Sequence, residues 1–171
     1  MLGLKKGVVK LVPHDPKWKN LFKKDKNKIL KSCQGLILNV IHIGSTSMPN
    51  MLAKPIIDMV VGAKSLARPK KIIEKLELLG FVHDKDDDVE GRIFFLKGSD
   101  KRRTHHLSLV KYEGKNWNNY LKFVDVLKQN KRLAKEYKKL KHKLSEKYKN
   151  DRASYTKAKA GFISNVLNGK L

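Results

Sequence analysis

The 171-residue chain is poor in acids, arginine and cysteine, and it contains no long apolar run. Its single cysteine, Cys33, cannot form an internal disulfide, which excludes a disulfide-stapled scaffold and fits a reducing compartment. No apolar stretch approaches the roughly 20 residues needed to cross a bilayer, so no membrane association is expected. The opening residues, MLGLKKGVVKLVPHDP, have neither a long apolar core nor a small-residue cleavage site. A secretory signal is therefore not expected, and a cytoplasmic location is. Acids number 16 against 39 lysines and arginines, a formal net charge of +23. Such a field attracts polyanions, so weak, nonspecific nucleic-acid binding is expected. Only six of the 39 are arginines, however, and the lysines are spread through nearly every segment. Dedicated readers of phosphates and bases lean on the planar fork of arginine, and uniform lysine is equally what compositional bias produces.

What is present suits a globular domain: hydrophobic residues make up 40% and charged residues 32%. The segment VVKLV (8–12) reads as a first strand. Asp15 as N-cap and Pro16 at the first helical position open a helix whose face carries Trp18, Leu21, Phe22 and Ile29, interrupted by Asp25. Gly35 ends it. Residues 36–44 and 54–62 read as strands. KKIIEKLELLG is a helix stopped by Gly80, FVHD a strand, and DKDDDVEG a solvated acidic turn. Residues 92–98 and 105–112 form a hairpin by pattern around SDKRRT. From Asn116 onward only helices are expected, with breaks at Asn130 and Asp151. The second of them carries a basic back behind the stripe Leu133, Ala134, Tyr137, Leu140, Leu144. Residues 1–171 thus read as one α/β (α+β) domain, mixed over 8–113 and helical over 114–171.

The chemistry concentrates in IHIGSTSMPNMLAKPIIDMVV (41–61). A strand ending at Gly44 lets the backbone turn sharply, and the amides and hydroxyls of Ser45 and Thr46 can cradle a phosphate. Asp58 is a lone acid on an apolar strand. Metal-assisted phosphoryl or nucleotidyl transfer places carboxylates on such strands to hold Mg²⁺. Nucleotidyltransferases follow Gly-Ser by Asp-x-Asp on one strand face, but the second acid would here be Val60. Asp58 therefore reads either as half of a metal pair or as a buried carboxylate held by a cation. His42 shares a strand face with Gly44, while His105 and His106 face opposite sides of theirs. These histidines read as hydrogen-bonded structural residues or as partners of Asp58 at a metal. Arg92 can take a phosphate bidentately or pair with the acidic turn.

Five stretches, LVPHDPKWKNLF, HIGSTSMPNMLAKPIIDMVV, GRIFFLKG, THHLSLV and YTKAKAGFISNVL, together resemble the GrpB family over about residues 8–167. That family looks like a branch of the nucleotidyltransferase superfamily. The resemblance implies a mixed β-sheet flanked by helices, with the Gly-Ser turn at the mouth of a cleft and a single aspartate in the second motif. Its motif positions fall on His42, Gly44, Ser45, Thr46, Pro49, Lys54, Asp58, Arg92 and His106. The later strand departs from the family's frequent His-Leu-His, reading His106-Leu107-Ser108. The resulting expectation is a cleft that binds a nucleotide or similar phosphate compound, with nucleotidyl transfer as the reaction to test. Ser45 and Thr46 hold phosphate oxygens, Lys54 and Arg92 neutralise them, and His106 serves as acid, base or ligand. Asp58 holds Mg²⁺, with His42, or orients a nucleophile. The alternative is a nucleotide- or RNA-binding module without catalysis.

Overall fold

The computed structural model describes all 171 residues. Five helices and five strands follow one another as α1 (Lys17–Ser32), β1 (Ile37–Ile43), β2 (Ile57–Ala63), α2 (Lys70–Glu77), β3 (Phe81–His83), β4 (Arg92–Ser99), β5 (Arg102–Lys111), α3 (Lys115–Gln129), α4 (Lys131–Lys147) and α5 (Arg152–Leu167). The strands form one mixed sheet in the order β1-β2-β5-β4-β3. Only β2 and β5, at its centre, run parallel. No helix is long and apolar enough to cross a membrane.

Strand alternation divides the core. Met59 and Val61 face one side of β2, where Trp18, Phe22 and Ile29 of α1 meet Leu107 and Leu109 of β5. Val60 faces the other side and packs with Val110, Trp117, Val124, Leu133 and Tyr137 beneath α3 and α4. The sheet is therefore covered on both faces, which explains why β2 is apolar almost throughout.

Three local expectations change. Residues 8–12 are not a strand: Val12 makes an isolated bridge to Ala53, while Val9 bonds the Lys149 carbonyl and packs on Leu144 and Tyr155. Its apolar residues serve different neighbours instead of one ladder. The hairpin is tighter than the flanking pattern indicated, with β4 and β5 leaving only Asp100 and Lys101 between them. The acidic turn is also more than a solvated loop. Asp88 accepts from the Phe94 amide at 2.7 Å and contacts His83 Nε2 at 2.7 Å.

Asp25 does not interrupt the face of α1; it is buried within that face, while Leu21 is half exposed. Its carboxylate lies 3.0 Å from Lys97 Nζ of β4 and 3.1 Å from His105 Nε2 of β5. The His105 contact is poorly aligned for a hydrogen bond and acts as an electrostatic one. These contacts clamp α1 to two strands. Burial raises the Asp25 pKa, but contact with His105 and Lys97 outweighs it and brings the group down to about 2. A depressed folded-state pKa stabilises above the unfolded value and loses that contribution as pH falls through the folded one. Asp25→Asn should therefore cost about 2 kcal/mol at neutral pH, with the difference from the parent vanishing toward pH 2. Urea titrations of both proteins at pH 7, 4 and 2 measure it.

Candidate functional site

A cleft of about 1000 Å³ opens between the C-terminal end of β1, the N-terminal end of β2, the acidic turn and helices α3 to α5. Its floor is set by strand register. Parallel pairing places Asp58 directly beside His106, and antiparallel pairing places it beside Ile43, just before Gly44. Gly44 has φ 67°, and a Cβ there would lie 2.7 Å from Asp58 Oδ2, so both the turn and the close approach require glycine.

A directional chain of hydrogen bonds crosses this floor. Arg152 Nη2, at the first turn of α5, donates to His106 Nε2 at 2.5 Å. A guanidinium can only donate, so Nε2 must accept and Nδ1 must carry the proton. Nδ1–H then donates to Asp58 Oδ1 at 2.8 Å. His106 is thus the neutral Nδ1–H tautomer. Burial lowers its pKa, and the charges of Arg152 and Lys54 add to that against the opposing pull of Asp58. For Asp58, burial acts upward but is outweighed by His106, Lys54 and Arg152, so the carboxyl is held below its ordinary range. The Asp58 side chain remains 35% exposed at the cleft floor.

Lysines surround this chain. Lys54 and Lys159 lie 5.4 and 4.5 Å from the ring centre of the buried Tyr155. Lys141 is only 2% exposed; its Nζ lies 4.8 Å from the ring centre of Tyr137, donates to Ser45 Oγ at 2.7 Å and also to the Leu52 carbonyl. None of the three pairs with a carboxylate. Burial, helped by neighbouring cations, lowers Lys54 and Lys141 to about 7 and Lys159 to about 8. Eight lysines and arginines line the cleft against four aspartates. Of these aspartates, Asp151 caps α5 by accepting from the Ser154 amide, and Asp84 stands 3.9 Å from Arg103.

The structure brings Gly44, Ser45, Thr46, Lys54, Asp58, Arg92 and His106 to this one cleft. Their availability differs. Ser45 holds Lys141 in place. Thr46 is 1% exposed, and its hydroxyl is committed to His42 Nε2 at 2.9 Å. Arg92 lies over Phe94 and donates to the Asp87 carbonyl, while its buried Nε has no partner. His42 does not join Asp58. Register sets it beside Met59, on the opposite face of the sheet, where its ring stacks on Phe22 at 4.7 Å. Expecting His42 and Asp58 to share a metal is therefore corrected by strand alternation.

The residues also do not fit a resident Mg²⁺. That ion needs a converging set of oxygens. No three His, Cys, Asp or Glu side chains are grouped to hold a metal. Asp58 is already bonded through one oxygen to His106, and its other charged neighbours are cations. Two residues after Asp58, Val60 is core, and two residues after His106, Ser108 bonds the Tyr120 hydroxyl at 3.1 Å.

Arg152, Lys141, Lys159 and Tyr155 were not singled out by the sequence patterns. Signals for them existed. Lys141 follows Tyr137 by four residues and precedes Leu144 by three, so it interrupts an apolar stripe. Arg152 places a cation at a helix N-terminus, where the backbone dipole disfavours one.

A mixed sheet covered by helices, with a cleft over a single floor carboxylate, defines the class: an α+β protein with a cation-lined cleft. Within that class, the chain belongs to the GrpB family, described as GrpB protein, whose profile matches residues 8–169. It is 39% identical to the glutamate-rich protein GrpB of Alkalihalophilus pseudofirmus over 98% of this chain and 99% of that one. The crystal structure of conserved protein GrpB from Enterococcus faecalis superposes with a TM-score of 0.84 at 27% identity, covering 94% of this chain and 96% of that chain. The Cid1 poly(U) polymerase with Mg 3′-dATP gives a TM-score of 0.48 at 14% identity over 86% of this chain and 49% of that chain; a likeness of that size says nothing about activity.

The depressed lysines make stability depend on pH. The unfolded chain keeps these amines protonated to about pH 10, whereas the folded one releases protons above about pH 7, so stability rises between those limits. Lys159→Met should flatten this rise, whereas Lys143→Met, on the exposed side of α4, should not. Denaturant midpoints from pH 6.5 to 10 distinguish the two.

Proposed function

We propose that the cleft binds the phosphate groups of a nucleotide or a similar phosphate compound. The observation that carries this reading is the charge imbalance: three half-buried or buried lysines without carboxylate partners stand around one carboxylate that His106 already occupies. Desolvated, unpaired cations are unfavourable in a free protein and become favourable when an anion enters. Phosphate oxygens offer several acceptors for Lys54, Lys159, Arg92 and Arg152 together. In this reading fixed cations neutralise the phosphates, and Mg²⁺ is not a resident group.

The same floor is suited to moving a proton. Asp58 fixes the Nδ1–H tautomer of His106, and Nε2 becomes a base when Arg152 turns toward a phosphate. Nucleotidyl transfer to a hydroxyl is the reaction such an arrangement serves: the hydroxyl oxygen attacks the α-phosphorus of a nucleoside triphosphate, its proton goes to Nε2, and the bond from the α-phosphorus to the bridging oxygen breaks to release pyrophosphate. Binding without turnover is the second reading. It is favoured by Val60, which stands in the core where the second acid is needed, and by Ser108, which stands where the family often has a second histidine. Weak RNA binding to the basic outer side of α4 would add a salt-sensitive background to either reading.

Inorganic triphosphate in EDTA tests the proposal. It should bind stoichiometrically and raise the melting temperature, and Arg152→Ala together with Lys159→Met should weaken it by at least about tenfold. Asp58→Asn should bind it as tightly as the parent or more tightly, because a negative charge is removed from the floor. Binding by the parent only when Mg²⁺ replaces EDTA would sink the metal-free reading, and absence of binding to the parent under both conditions would sink the proposal.

A further inference from the structure

The walls of the cleft change character along their length. On α5 the lining residues Arg152, Tyr155, Lys159, Ile163 and Leu167 follow one another at helical spacing. The stripe is cationic toward Asp58 and His106 and aliphatic over its last two turns, which extend about 12 Å beyond Lys159. Only Tyr155 and Val166 of α5 are buried, so much of this helix lines open space instead of filling a core.

The facing stripe on α3 is uncharged. Asn116, Asn119, Tyr120 and Phe123 line it at spacings of three and one. Two of the three asparagines in this stretch bond their own backbone surroundings: Asn116 donates to the Glu90 carbonyl at 3.1 Å and Asn118 to the Glu113 carbonyl at 3.0 Å. Asn119 makes no side-chain hydrogen bond. It also borders a groove of about 470 Å³ between α3 and α5, which shares Asn119, Thr156, Ile163 and Leu167 with the main cleft.

We propose that this α3–α5 end is a nucleobase subsite and that Asn119 is its specificity-determining residue. The inference rests on the phosphate-binding reading of the cationic end. A base presents a flat apolar face and a polar edge. The flat face suits walls made by Tyr120, Phe123 and Ile163, and the edge suits a free carboxamide that donates and accepts at once. A purely aliphatic ligand body would leave that amide unpaired, which is unfavourable once water is displaced. A second highly charged group is disfavoured because Lys115 is the one cation that lines this groove, and Lys122 nearby is bonded to the Leu167 carbonyl.

Calorimetric titration of the full chain with inorganic triphosphate and with ATP, GTP, CTP and UTP separates the two ends. At least one nucleotide should bind about tenfold more tightly than inorganic triphosphate, and the four should differ among themselves. Asn119→Leu should make the four alike while changing inorganic triphosphate by less than about twofold. Ala160→Trp, at an exposed position bordering the groove, should weaken the nucleotides selectively and provides a variant that leaves the α3 packing intact. Equal affinity of the parent for inorganic triphosphate and all four nucleotides would overturn the base subsite and leave the phosphate cleft standing. So would an equal loss for every ligand in Asn119→Leu. Failure of the parent to bind any of the five would overturn the phosphate reading and this inference with it.

Discussion

The parallel register of β2 with β5 is the constraint on which the site depends. It sets Asp58 beside His106 and Val60 beside Ser108. A slip of one residue would turn Asp58 to the α1 face and bury it among Trp18, Phe22 and Leu107. The apolar residues on both faces of β2 oppose such a slip, because either displacement would exchange packed side chains for unfilled or overfilled space. The core thus fixes the geometry of a polar pair that could not fix itself. Arg152 completes the pair from a distant part of the chain, and its donation determines which nitrogen of His106 carries the proton.

The three C-terminal helices do two things at once. Trp117, Val124, Leu133 and Tyr137 cover the outer face of the sheet, while Lys141, Arg152 and Lys159 extend from the same helices into the cleft. Placing amines there is unfavourable in the free protein, as their lowered pKa values express. The apolar contacts of α3 and α4 hold the helices in place against that repulsion. Tyr137 and Tyr155 moderate it further, since an aromatic face stabilises a cation that has lost water.

Most of the sheet was legible because strand signals are local: short β-branched runs bounded by glycine. The helix breaks at Asn130 and Asp151 were legible for the same reason, and both residues cap the helices that follow them by accepting backbone amide protons. The Gly44 turn and Asp58 were legible as a constellation because β1, the turn and β2 are contiguous. The rest of the site was not, because it is assembled from residues as far apart as Asp58 and Arg152, 94 positions along the chain. Nothing in periodicity says which lysine of a lysine-rich helix will face inward, and Lys141 differs from its neighbours only by its phase on α4. Residues 8–12 misled for the opposite reason. Their composition suits a strand, but their hydrogen-bond partners come from three different parts of the fold.

The net charge of +23 takes on a different meaning once its placement is known. Most lysines are exposed, where water and salt screen them and single charges matter little. The few around Asp58 lie in a partly desolvated cleft, where each interacts strongly with the others and with any entering anion. A metal ion would solve the same problem by concentrating positive charge at one point, but it would need ligands that Val60 and Ser108, standing for a carboxylate and a histidine, do not provide. Distributed ammonium and guanidinium groups need no such ligands; they require only that folding hold them close together. The missing second acid and the surplus of inward lysines are therefore two aspects of one arrangement: with few carboxylates on its floor, the cleft concentrates positive charge without a metal.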